Sequence, residues 1–222
     1  MHALLISIFL LSLSLAFAAI SSQNVTKQDH CGLLRANTTA SVERKFVYQI
    51  FGYDYDNVPV TGMNWGRWDL LWLVKHPKEL ATLQKNFDDW IEELRQGLFF
   101  PRFRNSSEIT DSYITIIDFD GLDLRQLFSE AVIKVLLQNF SKLQRVAGQL
   151  SYGYIINANH ITEQFISMAK PFAGNFLERV EVYGTKPKNW IPKLLKKIPR
   201  NQLPPAYGGN VDFKPIVTCN FV

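Results

Sequence analysis

The chain has 222 residues, a formal net charge of +4, and 47% hydrophobic residues. That length supports one domain with a sizeable core, the apolar content excludes a disordered chain, and so mild a charge gives no ground for a nucleic-acid partner. With 16 Phe, 8 Tyr and 5 Trp, the interior is aromatic, which suits either a plain core or the lining of an apolar cavity.

Taken in chain order, Ala3 to Phe17 is a nearly continuous apolar run, and Ala16-Phe17-Ala18 fits a small-x-small cleavage pattern. Residues 1–18 are therefore expected to be a secretory signal peptide. The run is short for a transmembrane helix; an uncleaved anchor is the alternative, because only His2 lends charge to its start. A polar leader follows over residues 19–44. Four Asn-x-Ser/Thr sequons stand at Asn24, Asn37, Asn105 and Asn139. The first three lie in polar segments that should be exposed. Asn139 lies at the edge of a helix's apolar face and is the one expected to stay empty. The two cysteines, Cys31 and Cys219, are expected to pair in an oxidising compartment, which would contribute about 4–5 kcal/mol by chain entropy. Two unpaired thiols are the alternative.

Lys45–Phe51 and Val58–Met63 read as a hairpin around Gly52-Tyr-Asp-Tyr-Asp-Asn57, with Pro59 placing the second strand at an edge or bulge. Leu80, Leu83, Phe87, Trp90, Ile91 and Leu94 form a helical stripe from Pro77 to Arg95. Residues 101–111 read as an exposed loop. Tyr113–Asp118 is a β-branched strand, and Leu122–Val146 reads as one long amphipathic helix that includes Phe128 on its apolar side. Tyr152–Ala158 is the next strand. Ile161, Phe165, Met168, Ala169 and Phe172 then form a short helix that Pro171 helps to end. Val180–Tyr183 returns as a strand. The sequence of strands and helices predicts an α/β domain with parallel crossovers. Pro187–Arg200 is basic and amphipathic, its helix expected from Pro192. It suits either an anionic membrane surface or ordinary packing on the sheet.

Asp118-Phe-Asp120-Gly121, at a strand end, could hold Mg²⁺ and attack a phosphate, and it resembles the first motif of haloacid-dehalogenase-like phosphatases. Leu122 replaces their Thr or Val, and Asp212 is the only aspartate after Asp123, so a polar turn is the better reading. There is no G-x-S-x-G, no Cys/His metal spacing and no phosphate loop. No cofactor is expected.

Ile114–Gly121 (ITIIDFDG), Tyr154–Phe172 (YIINAN…MAKPF) and Ile198–Gly209 (IPRNQLPPAYGG) resemble, in order and spacing, the CRAL-TRIO lipid-binding domain of the yeast phosphatidylinositol-transfer protein and α-tocopherol-transfer protein families. GYDYDNVPV with GRWD, over Gly52–Asp69, resembles that domain's opening hairpin. The resemblance spans residues 45–215, leaving 216–222 as a tail. It implies an α/β fold: a mixed, largely parallel sheet with flanking helices and a gate helix over an apolar pocket. Ile161–Phe172 falls where the gate belongs. The implied ligand-binding set is Tyr113, Thr115, Ile117, Tyr154, Ile156, Phe165, Met168 and Phe172, taking alternate strand positions and the gate stripe. Arg179 falls close to the family's headgroup lysine, and Thr115 to a hydroxyl of its phosphocholine site. Gly148 and Gln149 stand where phosphoinositide-transfer members carry a Glu-Arg pair, and the usual N-terminal helical module is missing or replaced by the leader.

The expected function is a secreted, non-enzymatic carrier of a hydrophobic small molecule or lipid (phospholipid, tocopherol, retinoid or similar), moving it between membranes through transient surface contact. The alternatives are an interaction module with a collapsed pocket and a Mg²⁺-dependent phosphatase at Asp118 and Asp120.

Overall fold

A computed structural model describes residues 46–101 and 112–222. Six strands form one sheet: β1 (Val47–Tyr53), β2 (Pro59–Met63), β3 (Tyr113–Asp118), β4 (Leu150–Ile156), β5 (Val180–Val182) and β6 (Val217–Asn220). Their spatial order is β5-β4-β3-β2-β1-β6. β2 to β5 run parallel, and β1 is antiparallel to both β2 and β6. All six residues of β3 are buried, as expected of a central parallel strand covered on both faces.

One face carries α2 (Pro77–Arg95), α3 (Glu130–Gln144) and α4 (His160–Ala173). Here Phe87 and Trp90, Phe140, and Phe165 from the three helices join Tyr48, Met63, Tyr113 and Ile117 of the sheet in one core. The short α1 (Leu70–Leu73) leads into α2, and α5 (Asn175–Glu178) links α4 to β5. Among the described residues, the opposite face carries only α6 (Pro187–Lys197) and the segment after it. No helix among the described residues is long and apolar enough to cross a membrane.

The expected helix over 122–146 is broken. A 3-10 turn spans Leu124–Phe128, Ser129 is extended, and α3 starts afresh at Glu130. The Asp123 carboxylate accepts the Arg125 N–H, and Gln126 Oε1 accepts the buried Leu70 N–H at 2.7 Å, so the turn is pinned before the helix can propagate. Phe128, expected on the apolar side, is exposed.

α4 runs past Pro171 and stops at Gly174, where φ is +48°. β4 ends at Ile156 because Asn157 takes a left-handed φ of +58°. α6 begins at Pro187 rather than Pro192. Pro187 occupies a first-turn position that needs no N–H, and the buried stripe of Trp190 and Leu194 holds the helix together across Pro192. The tail expected over 216–222 contains β6, which pairs with β1 from Val47↔Asn220 to Ile50↔Val217, so the sheet continues past residue 215.

Candidate functional site

On the second face the sheet presents Phe51, Val60, Ile114, Ile116, Tyr154 and Ile156. These alternate with the residues that face the helical layer, as strand geometry requires. The cover comes from one continuous segment. α6 contributes Trp190 and Leu194, and the chain beyond it adds Ile198, Leu203 and Tyr207, all buried. Burying each such side chain stabilises the closed arrangement by about 1.5–3 kcal/mol.

The end of the cover folds on itself. Gly209 N–H donates to the Pro204 carbonyl (3.0 Å), Asn210 N–H to that of Arg200 (3.2 Å), and the Arg200 guanidinium to that of Gly208 (2.6 Å). Gly208 is left-handed at φ +82°, which closes this turn. Few polar ties join the cover to the sheet. Tyr53 N–H donates to Gln202 Oε1 at 3.1 Å, and Tyr55 N–H to the Lys197 carbonyl at 3.2 Å. Lys197 Nζ sits 4.4 Å over the Tyr152 ring, whose hydroxyl donates to Asp54 at 2.9 Å.

The deepest tie is at the C-terminal end of β3. Asp118 is buried, and three donors converge on it at 2.8 Å each: the Tyr207 hydroxyl, the Asn157 amide and the Asp120 backbone N–H. Burial, and then the adjacent Asp118 carboxylate, push the Tyr207 phenol far above the usual tyrosine range. Asp120 turns outward to Arg67, 2.9 Å away and largely exposed. Asp118 and Asp120 thus hold a turn and the cover together, with three donors already on the Asp118 carboxylate. Among the described residues, no cluster of three or more His, Cys, Asp or Glu could hold a metal ion.

Beside this tie a cleft of ≈330 Å³ opens on the second face, between β1, β2 and the 204–207 turn. Phe51, Trp68 and Ala206 form its apolar walls, and Arg67 with Asp120 stands at its polar end. The Phe51 ring lies across Gly62, where an added Cβ would come within 2.0 Å of it. Beyond Arg67 a second cleft of ≈470 Å³ is lined by Trp72, Lys75 and Arg125.

The residues expected to line one pocket are divided between the two faces. Tyr113 and Ile117 belong to the helical-face core, Thr115 lies between them at the same two-residue phase and so shares their face, and Phe165 packs 6.0 Å from Phe140 in the same layer. Met168 and Phe172 are about half exposed on α4. Only Tyr154 and Ile156 face α6. The pairing explains the division: Tyr154 is in register with Ile116, and Thr115 with Gly153, so the β3 residues that share Tyr154's face are Ile114 and Ile116. α4 correspondingly packs on α3, not over Tyr154. Arg179 donates to the Leu150 carbonyl at 2.9 Å, at the N-terminal end of β4 and far along the sheet from Asp118. Asn139 is buried in α3. Cys219 is buried in β6, while Cys31, the other three sequons and the leader lie outside the described residues.

The basic amphipathic segment carried the missed signal. Its apolar residues pack on the sheet, one of the two readings its pattern allows, while Lys188, Lys193, Lys196 and Lys197 remain exposed.

The family model of the CRAL/TRIO domain matches residues 43–209. The chain belongs to the CRAL/TRIO family. Members of this family bind lipophilic small molecules, act in lipid transfer and are generally non-enzymatic, and the mixed α/β sheet is the CRAL/TRIO architecture. No curated protein matches the chain significantly. Among solved structures, the crystal structure of Sfh5 is similar at 14% identity and a TM-score of 0.47, covering 82% of this chain and 64% of that one. The chain thus spans less than two thirds of the length of that protein.

Proposed function

We propose that this CRAL/TRIO chain is a secreted carrier that holds a lipophilic ligand on the second face of its sheet, with α6 as the gate, and exchanges it at membrane surfaces. The observation that carries the reading is the asymmetry of the two faces. Three helices bury one face, whereas the other is covered by a single segment with few polar ties. Beneath that cover the indole N–H of Trp190 is buried without a hydrogen-bond partner among the described residues. Such a donor costs about 1–3 kcal/mol unless an acceptor reaches it, which a ligand oxygen would do. The outward side of α6 bears lysines that suit anionic headgroups. Secretion, the Cys31–Cys219 bridge and glycosylation at Asn24, Asn37 and Asn105 belong to this proposal on the strength of the sequence.

Lipid extraction and native mass spectrometry of the chain made through a secretory pathway test it. A co-purified or acquired lipid that protects the amides of residues 187–209 from exchange is expected. A chain that emerges empty and takes up nothing from mixed-lipid vesicles would sink the carrier reading.

One observation favours a second reading, an interaction module with a closed pocket: Trp190, Leu194, Ile198, Leu203 and Tyr207 already pack directly on the sheet. That empty outcome would support it.

A further inference from the structure

We infer that Tyr55, at the tip of the β1–β2 hairpin, is a site of tyrosine O-sulfation, and that the sulfate sets how strongly α6 holds an anionic surface. The inference rests on the proposal that the chain passes through the secretory pathway, where tyrosine sulfotransferases act.

Accessibility singles the residue out. All eight tyrosines lie among the described residues, and Tyr55 alone is exposed, at 66%; the others are buried or partly buried. Tyr55, Asp56 and Asn57 form the exposed apex of the hairpin, with Asn57 left-handed at φ +64°. Beneath them Asp54 is buried and ties the turn down. Its carboxylate accepts the backbone N–H groups of Asp56 (3.0 Å) and Val58 (2.8 Å) and the Tyr152 hydroxyl (2.9 Å). The phenol of Tyr55 therefore stands in solvent on a fixed projection.

Charge makes it the right kind of acceptor. Activated sulfate is a mixed phosphoric–sulfuric anhydride, so an enzyme that holds it carries cations and favours an acidic acceptor segment. Tyr55 lies between Asp54 and Asp56, and no Lys or Arg occurs between Lys45 and Arg67. Of the two acids, Asp56 is the exposed one that a transferase would meet. Tyr53, the other tyrosine beside Asp54, is partly buried in β1. In the transfer the Tyr55 oxygen bonds to sulfur, the S–O bond to the donor phosphate breaks, and the phenol proton passes to a base of the transferase. The product is an aryl sulfate with one added negative charge and no change of oxidation state.

Position gives the charge a consequence. The Tyr55 N–H donates to the Lys197 carbonyl at 3.2 Å, so the apex abuts the last turn of α6. Lys193, Lys196 and Lys197 are exposed there. A sulfate within side-chain reach of this end offsets part of the charge that α6 offers to anionic headgroups.

The test treats the full chain, made in cells whose sulfation is blocked by chlorate, with a tyrosylprotein sulfotransferase and activated sulfate. Mass spectrometry should show one added SO₃ group. Tyr55→Phe should take up none, Tyr53→Phe as much as wild type, and Asp56→Asn should react about tenfold more slowly. The sulfated form should bind phosphatidylserine vesicles about fivefold more weakly than the unsulfated form. No uptake, or equal uptake by Tyr55→Phe, overturns the inference, and equal vesicle binding overturns the role at α6. The chain secreted by unblocked cells should carry the same phosphatase-resistant group; a bare chain in the medium overturns the inference and leaves secretion standing. A chain that never reaches the medium but is sulfated by the purified enzyme overturns secretion and leaves the acceptor site standing.

Discussion

The Tyr207 hydroxyl reaches the Asp118 carboxylate over 2.8 Å, across 89 residues of sequence, and both groups are buried. One hydrogen bond thus joins the end of the cover to the central strand. Tyr207→Phe keeps the ring between Phe51 and Trp190 but leaves an Asp118 oxygen without its donor. It should cost about 1–3 kcal/mol in urea unfolding, and ligand should leave the variant faster than the wild type. An unchanged midpoint would show that the tie contributes nothing to closure.

The tyrosines of this face give a pH dependence with a definite sign. Burial, aided by Glu181, pushes Tyr154 and Tyr183 up to about 12, and burial raises Tyr152 and Tyr207 further. Their folded values exceed the unfolded value of about 10, so the folded chain holds these protons more tightly. The associated stability is complete below about pH 10 and is lost as pH rises through the folded values. Urea midpoints should therefore fall between about pH 10 and about pH 12, with tyrosinate absorbance appearing together with unfolding. Tyrosinate absorbance at the unfolded value in a chain that remains folded would contradict this.

Asn139 is 1% exposed, and neither its side-chain nitrogen nor its oxygen has a partner among the described residues. Its sequon should be empty in the folded chain, so Asn139→Gln leaves the glycan count by mass spectrometry unchanged. Asn139→Leu replaces an unsatisfied amide with a side chain of similar size and should stabilise the fold by about 1–2 kcal/mol. A destabilised Leu variant would mean that the amide has a partner in solution.

Exposed lysines on α6 predict salt-dependent binding to anionic vesicles. Lys193, Lys196 and Lys197 changed together to Glu should weaken co-sedimentation with phosphatidylserine vesicles about 100-fold or more, at about 1 kcal/mol per lost lysine plus the added repulsion. Lys197→Glu also removes the contact on Tyr152, so Lys193→Glu with Lys196→Glu alone separates membrane contact from closure. Sedimentation equal to wild type in that double variant would exclude α6 as the membrane-facing element.

The boundaries of β3 and α2 were legible because each is written in one unbroken period: a β-branched run, and a stripe at three- and four-residue spacing. The phase of β3 was not. Tyr113 to Ile117 is apolar or β-branched at every position, so nothing in the run marks which side chains face the helices. That is how Thr115 and Ile117 were grouped with Tyr154. The choice between α4 and α6 as the cover was hidden for a related reason. Both carry an apolar stripe, and the path of the chain, not the stripe, selects the face. The turn at Asp118 was legible as a polar exit from a strand, whereas its partner Tyr207 is set only by tertiary folding.

The pairing of β6 with β1 has a consequence for biosynthesis. The two strands are separated by 169 residues at Gln49 and Thr218. Phe221, just beyond β6, stacks on Tyr48 at 4.3 Å and packs among Phe87, Trp68 and Trp90. A ribosome makes β1 well before β6, so among the described residues the aromatic core stays open along one side and β1 lacks its β6 partner until synthesis has passed Phe221. Contacts of such long range slow folding, and the open edge can pair with other chains meanwhile. A stop before Val217 is therefore expected to leave β1 without its β6 partner and the aromatic cluster around Tyr48 without Phe221.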